Sequence, residues 1–233
     1  MAHAKCKVKR VIMAFGICLI IFYGCGHNPS KDETTALPWW TSKDRDLVIS
    51  ELNRTTKAIR LELKDLKEDQ WTFRESPDRW SILEIIEHLE MQNQLHYREI
   101  SVISNTPQLL HFRTITEGKD AHFTKYATDT IAGTARWFLQ PKGKFCTGTD
   151  AEKAFFKARS ELTKLVELTS TDFRKQFTFR SPVGDKDIAN LKIGEVRDLH
   201  QLLLTGIAHT DRHLKQLRNL KAHPKYPKSK VWH

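Results

Sequence analysis

The sequence predicts an all-α protein, a four-helix bundle with a long connection between its second and third helices. Three observations support this. Four segments repeat apolar residues at spacings of three and four, the period of one helix face. No segment alternates apolar and polar residues as a half-buried strand would. The composition, 39% hydrophobic and 28% charged over 233 residues, is that of an ordinary globular domain able to bury a core without disulfides.

The first 25 residues stand apart from that globule. A basic start with Lys5, Lys7, Lys9 and Arg10 precedes an apolar run, residues 11–24, that is too short for a membrane span and suits the core of a signal peptide. It ends in Gly24-Cys25, which resembles the lipobox of bacterial lipoproteins, with Cys25 as the lipidated residue. Phe22 and Tyr23 depart from the smaller or aliphatic residues usual there. An uncleaved anchor and a cleaved, unlipidated leader are the alternatives, and each of the three places the globule outside the cytoplasm. Export is therefore expected, to the cell envelope, with the membrane as partner through the lipid.

Cleavage would remove Cys6 and Cys18, and acylation would occupy Cys25. That leaves Cys146 alone and excludes a disulfide framework. A lone cysteine in "GKFCTGTD", with no histidine beside it, reads as inert. Loss of the four leader cations lowers the formal net charge from +10 to +6. With no basic stripe interleaved with aromatics, nucleic acid is not an expected partner; a diffuse excess of this size suits solubility or an anionic membrane surface.

Residues 26–43 are polar, contain proline and lack a period, and read as a tether whose "PWW" packs on the globule. The bundle is expected over residues 44–222. Its first helix runs from about Lys43 to Leu66 on Val48, Leu52, Thr55, Ile59, Leu63 and Leu66. The second opens at Ser81, where "SILE" is a capping box, and runs to about Ile103. The stretch 104–149 follows, with a short helix expected near 129–138. The third helix covers about Asp150 to Leu168, capped by Asp150 or Thr149. The fourth extends from near Ile193 to about Leu220, stopped by Pro224. Residues 223–233 form a basic tail.

The chemistry lies in the histidines. His209 and His213, in "HTDRHLKQL", are one helical turn apart, so both imidazoles leave from one face. That face also carries Leu202 and Gly206 and is aimed at the core, where imidazoles need partners. His88 flanks the Ile85 and Leu89 stripe of the second helix. A pair one turn apart plus one ligand from a facing helix is a standard way to hold an ion inside a bundle, with nitrogens at about 2.0–2.1 Å. Three ligands leave a coordination position open. His96, two turns beyond His88, is the candidate general base or further ligand. Gln92 could line the pocket, and His122 could cover its mouth. Glu84, Glu87 and Asp198 are candidates to hold the imidazoles through their other nitrogens. By spacing alone, a satisfied set of core histidines competes with a metal site.

Three stretches resemble the DinB/YfiT-like superfamily, a set of four-helix bundles regarded as metalloenzymes. "LKEDQWTFRESPDRWSILEIIEHL" is similar to the family segment in which a Trp-Ser pair opens helix two and a metal-binding histidine follows, here Trp80, Ser81 and His88. "DAEKAFFKARSEL" resembles the third helix, with Arg159 at its usual arginine. "LKIGEVRDLHQLLLTGIAHTDRHLKQL" resembles the last helix, whose two ligand histidines correspond to His209 and His213, with Arg212 between them. The resemblance covers roughly residues 45–220. It implies one divalent ion of zinc, nickel or iron type on His88, His209 and His213, and transfer of low-molecular-weight thiols or hydrolysis of a small-molecule substrate as the activity. An exported leader fits poorly with a cytoplasmic thiol, and the long 104–149 connection would reshape the pocket mouth. A non-catalytic bundle that captures a metal or small ligand, and a structural bundle with vestigial histidines, are the other readings. Bundles also pair readily through exposed apolar faces, so a homodimer is compatible with the sequence, which identifies no such face.

Overall fold

Helix α1, Ser42–Leu63, starts where Thr41 accepts from the Asp44 amide while the Asp44 carboxylate accepts from the Thr41 amide, a reciprocal cap. It stops at a turn in which Asp65 takes a positive φ of 56°. A short helix α2, Glu68–Thr72, precedes α3, Ile82–Ile103, whose Ser81–Glu84 capping box is the one expected. Then come α4, Arg113–Thr116, α5, Asp120–Thr128, and α6, Gly148–Leu168. Two three-residue strands, β1 (Phe177–Phe179) and β2 (Val196–Asp198), pair antiparallel, and α7, Leu199–Lys221, completes the chain of elements. This computed structural model describes residues 39–128, 135–179 and 196–228. The leader, Cys25, most of the tether and the last five residues of the tail lie outside them.

The four long helices make the bundle: α1 and α3 each pack on both α6 and α7 and so stand diagonally opposed. The fold is all-α, with one strand pair among the described residues. No helix among the described residues is long and apolar enough to cross a membrane.

Several boundaries differ from expectation. Helix α6 starts at Gly148 with Thr147, not Thr149 or Asp150, as its cap; Asp150 instead donates its amide to the Thr147 hydroxyl. Gly148 is required there because Trp71 lies against it, so that a Cβ would sit 2.2 Å from Cδ2 of the indole. Helix α7 begins at Leu199 rather than Ile193, because Val196–Asp198 pairs with β1 and Asp198 then caps the helix through the Gln201 amide. Strands of three residues are too short to show a two-residue period, and their pairing depends on a distant partner. In the long connection the described helices are α4 and α5; most of the helix expected near 129–138 lies outside the described residues, which resume at 135 and form a 3-10 turn at Trp137–Leu139. The tail is not free at its start: Tyr226 is buried against Phe73, and Pro227 O accepts from Gln70 Nε2.

Two apolar clusters with a polar waist between them fill the bundle, and a third, smaller one of Phe112, Phe177 and Val196 lies at the strand pair. Ile59, Leu63, Ile82, Ile85, Ile86, Leu89, Phe155, Leu214 and Leu217 belong to one cluster. Val48, Leu52, Ile100, Leu162, Val166, Leu202 and Leu203 belong to the other. Each long helix crosses from one cluster to the other through buried polar residues: Thr55 on α1, Asn93 and His96 on α3, Arg159 on α6, Thr210 and His213 on α7. Interrupting all four apolar stripes at the same level costs burial energy, of order 1.5–3 kcal/mol per displaced large apolar side chain. An interruption of this kind is what a functional site inside a bundle requires.

At the far end of the second cluster the end of the tether is clamped. Trp39 and Trp40 donate their amides to the Asp172 carboxylate at 2.8 and 3.0 Å. Trp40 stacks near Phe173 and donates its indole N–H to His200 Nδ1 at 3.0 Å. The expected packing of the "PWW" stretch on the globule is thus seen for its second tryptophan. His200 is a structural acceptor, held neutral by burial, which lowers its pKa to about 4.

Candidate metal centre

His88 reaches the centre from the first half of α3, and His209 and His213 from successive turns of α7. The three ligand nitrogens lie within 4.8 Å of one another. His209 Nε2 is 2.9 Å from His88 Nε2 and 2.9 Å from His213 Nε2. Trp80 walls the cluster, its ring 5.0 Å from that of His88 and stacked at 6.3 Å on that of His213.

The far nitrogens determine what the near ones offer. His88 Nδ1 lies 2.7 Å from Leu139 O, and a carbonyl can only accept, so Nδ1 carries the proton. His213 Nδ1 donates likewise to Gln216 Oε1 at 2.9 Å. Both rings therefore present bare Nε2 lone pairs toward His209. A single proton on His209 Nε2 can serve one of them, and the other lone pair then faces a nitrogen with nothing to give. A cation is what this donor set lacks. Ligands on a tetrahedral ion at about 2.1 Å stand about 3.4 Å apart, so each ring needs to retreat by only a few tenths of an ångström to admit one.

Electrostatics favour the same state. Burial lowers the pKa of His88, and lowers that of His209 to about 3 and that of His213 well below the usual value. The neighbouring imidazoles add to the effect at His209 and His213, and the Arg212 charge adds to it at all three. Neutral imidazole is the metal-binding form, so near pH 7 the three rings compete for a cation without first losing protons.

The sequence model of the DinB superfamily matches residues 51–217, which span α1 to α7 and all three histidines. The chain belongs to the DinB superfamily. Comparison with curated proteins and with solved structures finds no match. The DinB match and the three-histidine cluster together fit a metal-binding protein of this superfamily.

The other expected residues are placed as follows. His96 is buried in the waist, its ring packed on the α7 backbone at Gly206, and burial lowers its pKa to about 3. Gln92 is half-buried on α3, while His111 and His122 are exposed, the latter on α5. None of the three proposed carboxylates holds an imidazole. Glu84 caps α3, Asp198 caps α7 and pairs with Arg174, and Glu87 binds backbone amides. The groups that do the holding are a backbone carbonyl and a glutamine. Leu139 lies 51 residues from His88, and no side-chain pattern marks a carbonyl. Gln216, three residues after His213 on the same helix, was readable as a helical neighbour.

Gly206 gives a direct test of this packing. A Cβ there would lie 2.6 Å from His96 Cε1 and 2.7 Å from its Nδ1. Gly206→Ala should destabilise the protein by about 1–3 kcal/mol, lowering Tm by roughly 3–10 °C in thermal unfolding. Adding His96→Ala should restore part of that loss, since the two substitutions share one contact.

Proposed function

We propose that this DinB protein is a metal-dependent enzyme, exported and tethered to the cell envelope through Cys25, that acts on a small molecule by thiol transfer or hydrolysis. The observation that carries the reading is the pair of Nδ1–H donors that leaves two bare Nε2 atoms converging on His209. A divalent ion held by three histidines acts as a Lewis acid and makes a nucleophile of water or thiol available near neutral pH. The chain's own contribution is to hold the three rings neutral and oriented. Trp80 shields one side, and Arg212 sets a positive charge beside the cluster that favours an anionic group there. Export rests on the basic start, the short apolar run and Gly24-Cys25. His96 acting as a base in this reaction would be neutral at every pH above about 3.

The test is turnover by metal-loaded protein, using a small thiol with an electrophilic acceptor in one assay and model esters and amides in another. Activity in either assay that disappears on chelation and returns with the ion supports an enzyme. A full complement of metal with no turnover in both assays overturns catalysis and leaves the second reading, a metal- or ligand-capturing bundle.

A further inference from the structure

The stretch that supplies Leu139 O runs along α3 as a strap, and α3 grips it at three points. His88 Nδ1 donates to Leu139 O. Glu87, the residue before His88 and only 1% exposed, accepts the Lys142 amide on Oε1 at 2.7 Å and the Lys144 amide on Oε2 at 3.2 Å. Glu90, three residues later on the Glu87 face and as deeply buried, accepts from Lys144 Nζ at 2.9 and 3.0 Å. Between the two amides, Gly143 turns the chain with φ of 72°, which directs both N–H groups at one carboxylate.

We infer that Glu87 is a positioning residue for the metal centre, acting on His88 through the strap rather than by contact with its ring. A buried carboxylate with each oxygen occupied by a backbone amide fixes the strap's path. The strap's path sets where Leu139 O stands, and Leu139 O sets the His88 tautomer and ring plane. Loss of the Glu87 grip frees His88 to carry its proton on Nε2, which cannot bind an ion. The inference rests on the metal-binding reading for its effect on affinity, but its effect on the His88 tautomer holds without any metal.

The grip also explains why two acidic residues are buried on the face of a helix otherwise given to Ile85, Ile86 and Leu89. Glu87 and Glu90 are there because the strap brings its amides and a lysine to them. The sequence "QPKGKF" supplies the parts: a glycine for the turn, and lysines on either side whose amides point inward.

The experiment compares wild type, Glu87→Gln and Gly143→Val. Glu87→Gln keeps one acceptor oxygen and turns an NH2 toward the other amide. Gly143→Val strains the positive-φ turn at a position where a Cβ meets nothing within 4 Å, so it disturbs the strap even if the Glu87 variant does not fold. Two readouts are taken: zinc affinity by competition with a chromogenic chelator, and the imidazole 15N shifts of the metal-free protein. The expected result is a 10- to 100-fold weaker zinc affinity in both variants, with His88 losing its Nδ1–H tautomer while His213 keeps its own. An unchanged His88 tautomer, with zinc affinity within twofold of wild type, overturns the inference. Absence of zinc binding by the wild type is a failure of the metal reading instead, and the tautomer readout still decides the role of Glu87.

Discussion

Replacing His213 with alanine is expected to abolish stoichiometric metal binding. Protein purified without a histidine tag should hold about one divalent ion per chain, and the His213→Ala variant less than a tenth of that, by elemental analysis after gel filtration. Three imidazoles are the minimum for a site that also keeps a position open, and the two that remain belong to different helices with no fourth donor in the cluster among the described residues. Removing Gln216 should show the same dependence at one remove. Gln216→Ala leaves His213 in place but takes the acceptor from its Nδ1, and affinity should fall about 10- to 100-fold. A wild type that takes up no ion after incubation with zinc, nickel, iron and manganese in turn would remove the basis for an enzyme.

The largest expected effect on stability is at Arg174. Its guanidinium lies between Asp120, at 2.7 Å, Asp198, at 3.1 Å, and Asp44, at 3.4 Å, and so joins α1, α5 and the start of α7. Burial pulls its pKa down, but the hydrogen bonds and charges of Asp120 and Asp198 raise it overall. Asp198 is 3% exposed, and burial raises its pKa to about 6 against the opposing pull of Arg174. Arg174→Met leaves that carboxyl buried without its partner, a change that costs about 3–5 kcal/mol. At two to four degrees per kcal/mol, Tm should fall by roughly 10 °C or more.

Arg159 is the informative contrast. It is more deeply buried than Arg174 but has no carboxylate within ion-pair distance among the described residues. It donates to the Thr210 hydroxyl at 3.0 Å and more weakly to Thr55 at 3.4 Å, its Nε has no acceptor, and burial lowers its pKa to about 10. Arg159→Met should therefore leave Tm unchanged or raise it when both variants are compared by thermal unfolding. A fall in Tm at Arg159 comparable to that at Arg174 would show that the waist depends on the charge itself.

Much of the fold could be read locally because helices declare themselves locally. The Ser81–Glu84 box, the Ile82–Leu89 stripe and the turn-apart pair His209 and His213 are relations among residues three or four apart, and the covalent chain places them. The same holds for the choice of His88, His209 and His213 as a set, which needed only two helix faces and the assumption that they meet.

What tertiary structure alone decided lies at long range. The pairing of Phe177–Phe179 with Val196–Asp198, which moved the start of α7 to Leu199, needs two short segments to find each other. The demand for glycine at position 148 comes from Trp71, which arrives against it from α2. The role of Glu87 could not be assigned from its place beside His88, because its partners are backbone amides more than fifty residues away, and any residue has such an amide. The sequence by itself determined the helices, through periodicity, and singled out His88, His209 and His213, through their spacing and the family resemblance. Only the folded chain determined which nitrogen of His88 and of His213 carries the proton. That choice belongs to a carbonyl at Leu139 and an amide oxygen at Gln216, groups whose position is a property of packing.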